Sequence, residues 1–407
     1  MPPPEAAPFR AERFPVAVAA AVIDDLRARI RNARLPEASP GRPWDQGTDR
    51  DWLARLLEYW ADGFDWRAAE RALNGFAHYR ARVGGAEIHF VHERARRGTG
   101  IPLILGHGWP SCFAELLPLV PLLTDPAAHG IAGPAFDVVI PSLPGYGFSP
   151  RPAAGGVTYR YAAGLWHRLM HEKLNYRRPY GAQGGDWGAV VSSWLAFDNP
   201  VTEEKGEWKS GVAGLHLNMI GVRPGIDLKK ANLSAAEQAW LGKMGTALDD
   251  KTAYQRIQST RPQTLGVALS DSPVGLAAWI VEKFRDWSDC NGNPLNRFSL
   301  DLLLDNIMVY WLTGTAGSAT WLYRGAAQQQ PRALPEGRRV ETPTAFAAFP
   351  ADIAPAPPKE WIERAYDLRR HTVMSRGGHF AALEEPELLA RDIREFFRPL
   401  RFGAAND

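Results

Sequence analysis

The sequence predicts an α/β protein: a mostly parallel central sheet flanked by helices, with a helical block inserted late and a helix-rich stretch in front. Three observations carry this. First, the runs IPLILGHGWP, FDVVIPSLPGYG and RPYGAQGGDWG each end in a Gly- or Pro-rich turn, and helical patterns separate them. Short apolar runs alternating with helices imply parallel strands joined by crossovers. Second, residues 222–340 break that rhythm with SAAEQAWLGKMGTAL, GLAAWIVEKFRDW and LDLLLDNIMVYWLTGT, all helical in spacing. Third, the rhythm resumes with VETPTAFAAFP and HTVMSRGGHF as strands and EPELLARDIREFF as a closing helix.

Taken in order, the elements begin with FPVAVAAAVI, which has the look of the apolar part of a signal peptide but runs on into DDLRARIRNARLP. Val22, Ile23, Leu26 and Ile30 share one helical face, so the segment reads as a folded helix. TDRDWLARLLEYW is a second helix with Thr48 as its expected N-cap. YRARVGGAEIHFVHERA is a hairpin turning at Gly84-Gly85, and VAGLHLNMIG is one more buried strand. The expected division is an N-terminal extension over 1–98, a core over 99–221, a helical lid over 222–340 and the rest of the core over 341–407.

Bulk composition narrows the function classes. The 407 residues suffice for one large domain with insertions or for two to three ordinary ones, with a sizeable core. Apolar residues at 45% and charged residues at 23% are ordinary for a globular chain. A net charge of +2 gives no electrostatic case for nucleic acid. The 15 Trp imply aromatic-lined pockets or simply a large core. Cys112 and Cys290 form neither a disulfide framework nor a metal-ligand spacing, so reduced thiols in the cytoplasm are the expectation. No stretch approaches the ~18 consecutive apolar residues of a membrane span.

The chemistry gathers at GAQGGDWGAVVSSW. A strand turning abruptly into a helix needs small residues at the bend, which Gly184, Gly185 and Gly188 supply. Asp186 between them is a carboxylate nucleophile at the carboxyl end of the sheet, or the cap of the following helix. The helix dipole favours its charge in either case. GHGWPSCF follows a buried strand, where backbone N–H groups can meet a developing oxyanion. The expected donors are the N–H groups of Trp109 and Trp187, and His107 is expected to brace the loop rather than act as a base. In RGGHFAALEEPE, His379 follows a strand and precedes the last helix, completing the order nucleophile, acid, histidine. The orienting acid is expected to be Asp352, just beyond the strand PTAFAAFP; Glu360, Glu363 and Asp367 compete for the role.

Together GHGWP, PSLPGYGFS, QGGDWG, DSPVGLAAWIVEKF and RGGHFAALEEPELLARDI resemble the microsomal-type epoxide hydrolases of the α/β-hydrolase superfamily. The likeness runs nearly the whole chain, including that family's N-terminal extension. It implies an α/β-hydrolase fold, Asp186 as nucleophile, and Asp352 with His379 as the charge-relay pair; some members carry Glu where Asp352 stands. It also implies two lid tyrosines, matched by Tyr254 in KTAYQRIQSTRP and Tyr323 in GSATWLYRG, with Tyr310 a nearby rival that reads as core. Their use is physical: a phenol with a pKa near ~10 stays protonated at neutral pH and can donate to an epoxide oxygen as its C–O bond breaks. The family needs no metal or organic cofactor. The membrane anchor of some members has no match here, so a soluble enzyme is expected. The implied reaction converts an epoxide, expected to be hydrophobic, to a vicinal diol through an ester on Asp186; Trp109 and Trp187 also line the expected substrate site. A homodimer is left open. The alternatives are a haloalkane or haloacid dehalogenase, which shares the Asp nucleophile but binds halide through N–H donors, and a noncatalytic ligand-binding protein on the same scaffold.

Overall fold

The computed structural model describes residues 11–153, 156–204, 207–208, 210–249, 251–329 and 333–402. The expected extension and lid therefore begin and pass, at residues 1–10, 250 and 330–332, outside the described residues. A nine-stranded sheet forms the centre. In chain order its strands are β1 (Glu12–Arg13), β2 (His78–Val83), β3 (Ala86–Glu93), β4 (Ile101–Gly106), β5 (Phe136–Pro141), β6 (Tyr180–Gly184), β7 (Val212–Leu217), β8 (Val340–Ala348) and β9 (Tyr366–Val373). Their spatial order is β1-β2-β3-β5-β4-β6-β7-β8-β9. Strands β1, β2 and β3 pair antiparallel, and β3 joins β5 antiparallel. From β5 to β9 every pairing is parallel.

The parallel block is apolar because helices cover both faces. Thus FDVVIP in β5 is buried at every position. The expected hairpin turns at Gly84 and Gly85, both at positive φ (56° and 85°), with Val83 opposite Ala86. The longer helices are α1 (Ala20–Arg31), α2 (Arg50–Asp62), α3 (Trp66–Leu73), α4 (Tyr159–Arg168), α5 (Asp186–Asp198), α6 (Ala235–Asp249), α7 (Ala253–Thr260), α8 (Pro262–Asp271), α9 (Pro273–Trp287), α10 (Leu300–Thr313), α11 (Trp321–Gln328), α12 (Lys359–Ala365) and α13 (Pro386–Phe397). Those from α6 to α11 all fall between β7 and β8. They stand over the carboxyl ends of the strands: α10 is pinned to the loop after β4 by Tyr310 Oη donating to Ser111 O (2.5 Å) and Asn306 Nδ2 to Pro110 O (2.8 Å).

Three local expectations need correction. Helix α1 packs against α2 and α9 through Ile23, Leu26 and Ile30, while Val22 is 40% exposed. Val22 lies a full ~100° round the helix from Ile23, outside the narrow buried stripe. The N-cap of α2 is Asp49, whose carboxylate accepts from the Trp52 N–H (2.8 Å). Thr48 instead donates to Ala278 O on α9 (2.7 Å), tying the front of the chain to the lid. Finally, the strand expected over residues 371–380 is β9, which starts at Tyr366 and ends at Val373, leaving His379 in a loop. Among the described residues, no single helix is long and apolar enough to cross a membrane.

Candidate active site

Strand β4 lies between β5 and β6, so successive crossovers leave it in opposite directions. At such a switch point the loops beyond the carboxyl ends part and leave a crevice. Gly106 of β4 is in register with Gly184 of β6, which sets their two loops side by side. The chain leaves β6 through Asp186, a non-glycine residue at φ +44°. That conformation costs about 1–3 kcal/mol and persists only where neighbours impose it. They do so here by close approach. A Cβ on Gly188 would sit 2.0 Å from Gly106 O, so α5 can start directly against β4 only with glycine there. A Cβ on Gly108 would sit 2.3 Å from the Asp186 Cβ, so glycine also lets the β4 loop close on the aspartate. The Trp109 N–H then donates to Asp186 Oδ1 at 2.9 Å.

His379 arrives from the other half of the sheet. Its Nε2 lies 3.4 Å from Asp186 Oδ2 and its Nδ1 2.7 Å from Asp352 Oδ1. The loops carrying Asp352 and His379 are joined through Ala351 N–H donating to Gly377 O (3.1 Å). Glu384 accepts from the N–H groups of Gly378 and Phe380, on either side of His379, and of Asp289 in the lid. The imidazole meets the Trp287 ring edge-on at 5.1 Å. Burial pushes its pKa down, but the charges of Asp352 and then Asp186 outweigh burial and hold it well above the ordinary value. The competing acids lie elsewhere: Glu360 and Glu363 are exposed on α12, and Asp367 sits in β9 paired with Arg369 (2.8 Å) and Arg339 (3.6 Å).

The lid brings aromatic side chains to the same place. Tyr254 of α7 stacks on Trp109 (5.0 Å, 14°), and Tyr323 of α11 meets Trp187 edge-on (4.8 Å, 85°). The two tyrosine rings lie 5.9 Å apart, and both also touch Trp109 or one another edge-on. Burial first, and then neighbouring negative charge including that of Asp186, pushes both phenols well above their ordinary pKa, so both are proton donors at neutral pH. Tyr310 is fully buried and spends its hydroxyl on Ser111 O, away from this cluster. His107 is a brace: its Nε2 accepts from the Leu143 N–H (3.1 Å) and its Nδ1 faces Gly108 O (3.0 Å). Burial lowers its pKa to about 4, so it is neutral.

Sequence reasoning passed over three polar residues beside Asp186. Gln183, immediately before the glycines, donates from Nε2 to Asn218 Oδ1 (2.9 Å) beyond β7. Glu115 in SCFAEL is a buried carboxyl hydrogen-bonded to Ser111. An acid inside an apolar run was a signal available for Glu115; nothing in spacing marks Asn218.

Residues 11–116 match the family described as epoxide hydrolase N terminus, and residues 101–257 match the alpha/beta hydrolase fold. A relative from Stigmatella aurantiaca is 42% identical over 95% of this chain and 85% of its own length. Epoxide hydrolase 1 of Sus scrofa is 38% identical over 92% of this chain and 86% of its own. Among solved structures, the Aspergillus niger epoxide hydrolase superposes with a TM-score of 0.81 at 30% identity, covering 97% of this chain and 98% of that one. With its central sheet, inserted helices and near end-to-end likeness to these relatives, the chain belongs to the epoxide hydrolase family and has the α/β-hydrolase fold.

Proposed function

We propose that this protein opens epoxides with water to give vicinal diols, through a covalent ester on Asp186. The observation that carries the reading is Asp186 held between His379 Nε2 at 3.4 Å and the Trp109 N–H, with the buried lid tyrosines Tyr254 and Tyr323 packed on the rings of Trp109 and Trp187. In the first half, an Asp186 oxygen attacks an epoxide carbon as the C–O bond breaks. Tyr254 and Tyr323 donate to the leaving oxygen and one of them supplies its proton. In the second half, His379, oriented by Asp352, takes a proton from water. The water oxygen bonds to Asp186 Cγ, and the oxyanion is held by the Trp109 N–H, already on Oδ1, and by that of Trp187. Collapse breaks the bond from Cγ to the alkyl oxygen, the diol leaves with the proton from His379, and the proton left on the regenerated Asp186 carboxyl returns to the tyrosine that supplied one. The order is supported by electrostatics. Esterification neutralises Asp186, removing one of the two charges that raise His379, so the imidazole becomes a base when one is needed.

A dehalogenase would hold a halide through N–H donors alone; the buried phenols of Tyr254 and Tyr323, packed on Trp109 and Trp187, add O–H donors suited to an epoxide oxygen. The rings of Trp109, Trp187, Trp287 and Tyr254 favour a hydrophobic substrate. In this reading the lid spans 222–340, the core 99–221 and 341–407, and the extension 1–98. A cytoplasmic setting is part of it, supported by the two free buried cysteines. A homodimer remains compatible with it, and a solution mass near 45.0 kDa would remove it. The test is a panel of aryl, alkyl and terpenoid epoxides with wild type and Asp186→Asn. Diol formation by wild type and none by the variant is expected. Single turnover in 18O-water should also place label in Asp186; label only in the diol would rule out the ester.

A further inference from the structure

Beside Asp186, a cavity of ≈ 10 Å³ is lined by Ser111, Glu115, Gln183 and Asn218 together with Asp186 and His379, and by neither lid tyrosine. That is about the room of one water molecule. Gln183 is 1% exposed, and while its Nε2 is bound to Asn218, its Oε1 has no partner among the described residues. A buried amide oxygen left unpaired is costly and calls for a donor.

We infer that this chamber holds the water consumed in ester hydrolysis, with Gln183 Oε1 as the acceptor that orients it. The inference rests on the two-step cycle proposed above. Water in the chamber donates one proton to His379 Nε2 and the other to Gln183 Oε1. Its free electron pair then faces Asp186 Cγ, the atom it must attack. The proton given to His379 is the one later returned to the diol, and Gln183 neither gains nor loses one. Glu115 completes the wall. Burial pushes its carboxyl up to about 7, and its hydrogen bond with Ser111 makes that wall polar. Asn218 holds the amide of Gln183 in the orientation that turns Oε1 inward.

Because the water enters only the second half-reaction, Gln183 is a positioning residue for that half alone. The experiment is rapid-quench kinetics with styrene oxide, following the ester on Asp186 by intact-protein mass. In Gln183→Met, alkylation should stay within about twofold, whereas ester hydrolysis should slow by on the order of 10²-fold, the usual cost of misplacing a reactant. The ester then accumulates, and kcat and KM fall together while kcat/KM is kept. Ala382→Val, which narrows the chamber from another wall and leaves every polar group in place, should act in the same direction and decides the matter if Gln183→Met does not fold. Equal slowing of both half-reactions, or of neither, overturns the inference. His379→Gln separates the two claims. If it accumulates ester while Gln183→Met turns over normally, the chamber assignment is wrong and the cycle stands. If Asp186→Asn still forms diol, the cycle itself is wrong.

Discussion

In the proposed cycle Asp186 must be a charged nucleophile and then a neutral ester, and His379 reads the difference. Both carboxylates raise the imidazole against its burial, so each should be separable by a neutral isostere. Asp186→Asn carries the ester's charge without its chemistry. The His379 titration, followed by NMR of labelled histidine, should move to lower pH in that variant, and in Asp352→Asn as well. An unmoved titration in Asp186→Asn would break the proposed link between the two half-reactions. The sign extends to stability. Folding raises this pKa, so its contribution is full below the unfolded value near ~6.5 and is lost as pH rises through the folded value. In the proposed cycle the tyrosines act on the other half. Tyr254→Phe and Tyr323→Phe should each slow alkylation by about 10²-fold, as removing one preorganised donor does, and leave hydrolysis of a preformed ester unchanged. Equal effects on both steps would assign the phenols to packing.

The element that makes this possible is the bend from β6 into α5, where a helix starts in contact with a neighbouring strand. Gly188→Ala would place a methyl 2.0 Å from Gly106 O, forcing α5 off β4 and Asp186 off the Trp109 N–H. Loss of soluble, active enzyme is expected, read by thermal melting and turnover. Gly242 on α6 is the counterpart: nothing lies within 4 Å of its added Cβ, so Gly242→Ala should stabilise by about 0.5–1 kcal/mol. The same contrast shows what was legible in the chain. The bend was readable because close approach demands glycine at fixed offsets from Asp186, and β5 because a strand covered on both faces is apolar throughout. His379 was readable from chain order. The tyrosines were not: Tyr254, Tyr310 and Tyr323 are all buried lid aromatics, and only tertiary position separates them. Only the family resemblance picked the pair. Gln183 and Asn218 meet across two strands, a contact no local pattern encodes. Thr48 and Asp49 show the limit at a helix start, where both residues can cap and the lid took one of them.

Across the whole molecule, the site draws on strands far apart in sequence, so it needs a clamp between them. Asp392 of α13 supplies one from beneath the sheet. It accepts from His216 Nε2 of β7 (3.0 Å) and from Arg370 Nε (2.7 Å) and Thr372 Oγ1 (2.8 Å) of β9. Those are the strands whose ends lead to Asn218 and to His379, with β8 and its Asp352 loop held between them. Burial alone would raise the Asp392 pKa, but the hydrogen bond from His216, with those from Arg370 and Thr372, holds it well below the usual carboxylate range. A depressed folded pKa gives stability that is present above the unfolded value near ~3.9 and is lost as pH falls through the folded value. Asp392→Ala leaves His216 and Arg370 without their acceptor and should cost about 3 kcal/mol at neutral pH, the lower end for breaking a buried pair because Arg370 can still reach water. Melting curves of wild type and variant should therefore be well separated at pH ~7 and converge as pH falls below ~4. A gap that persists unchanged into acid would mean that Asp392 stabilises by packing, and that the strands beneath the site are held in register by something other than its charge.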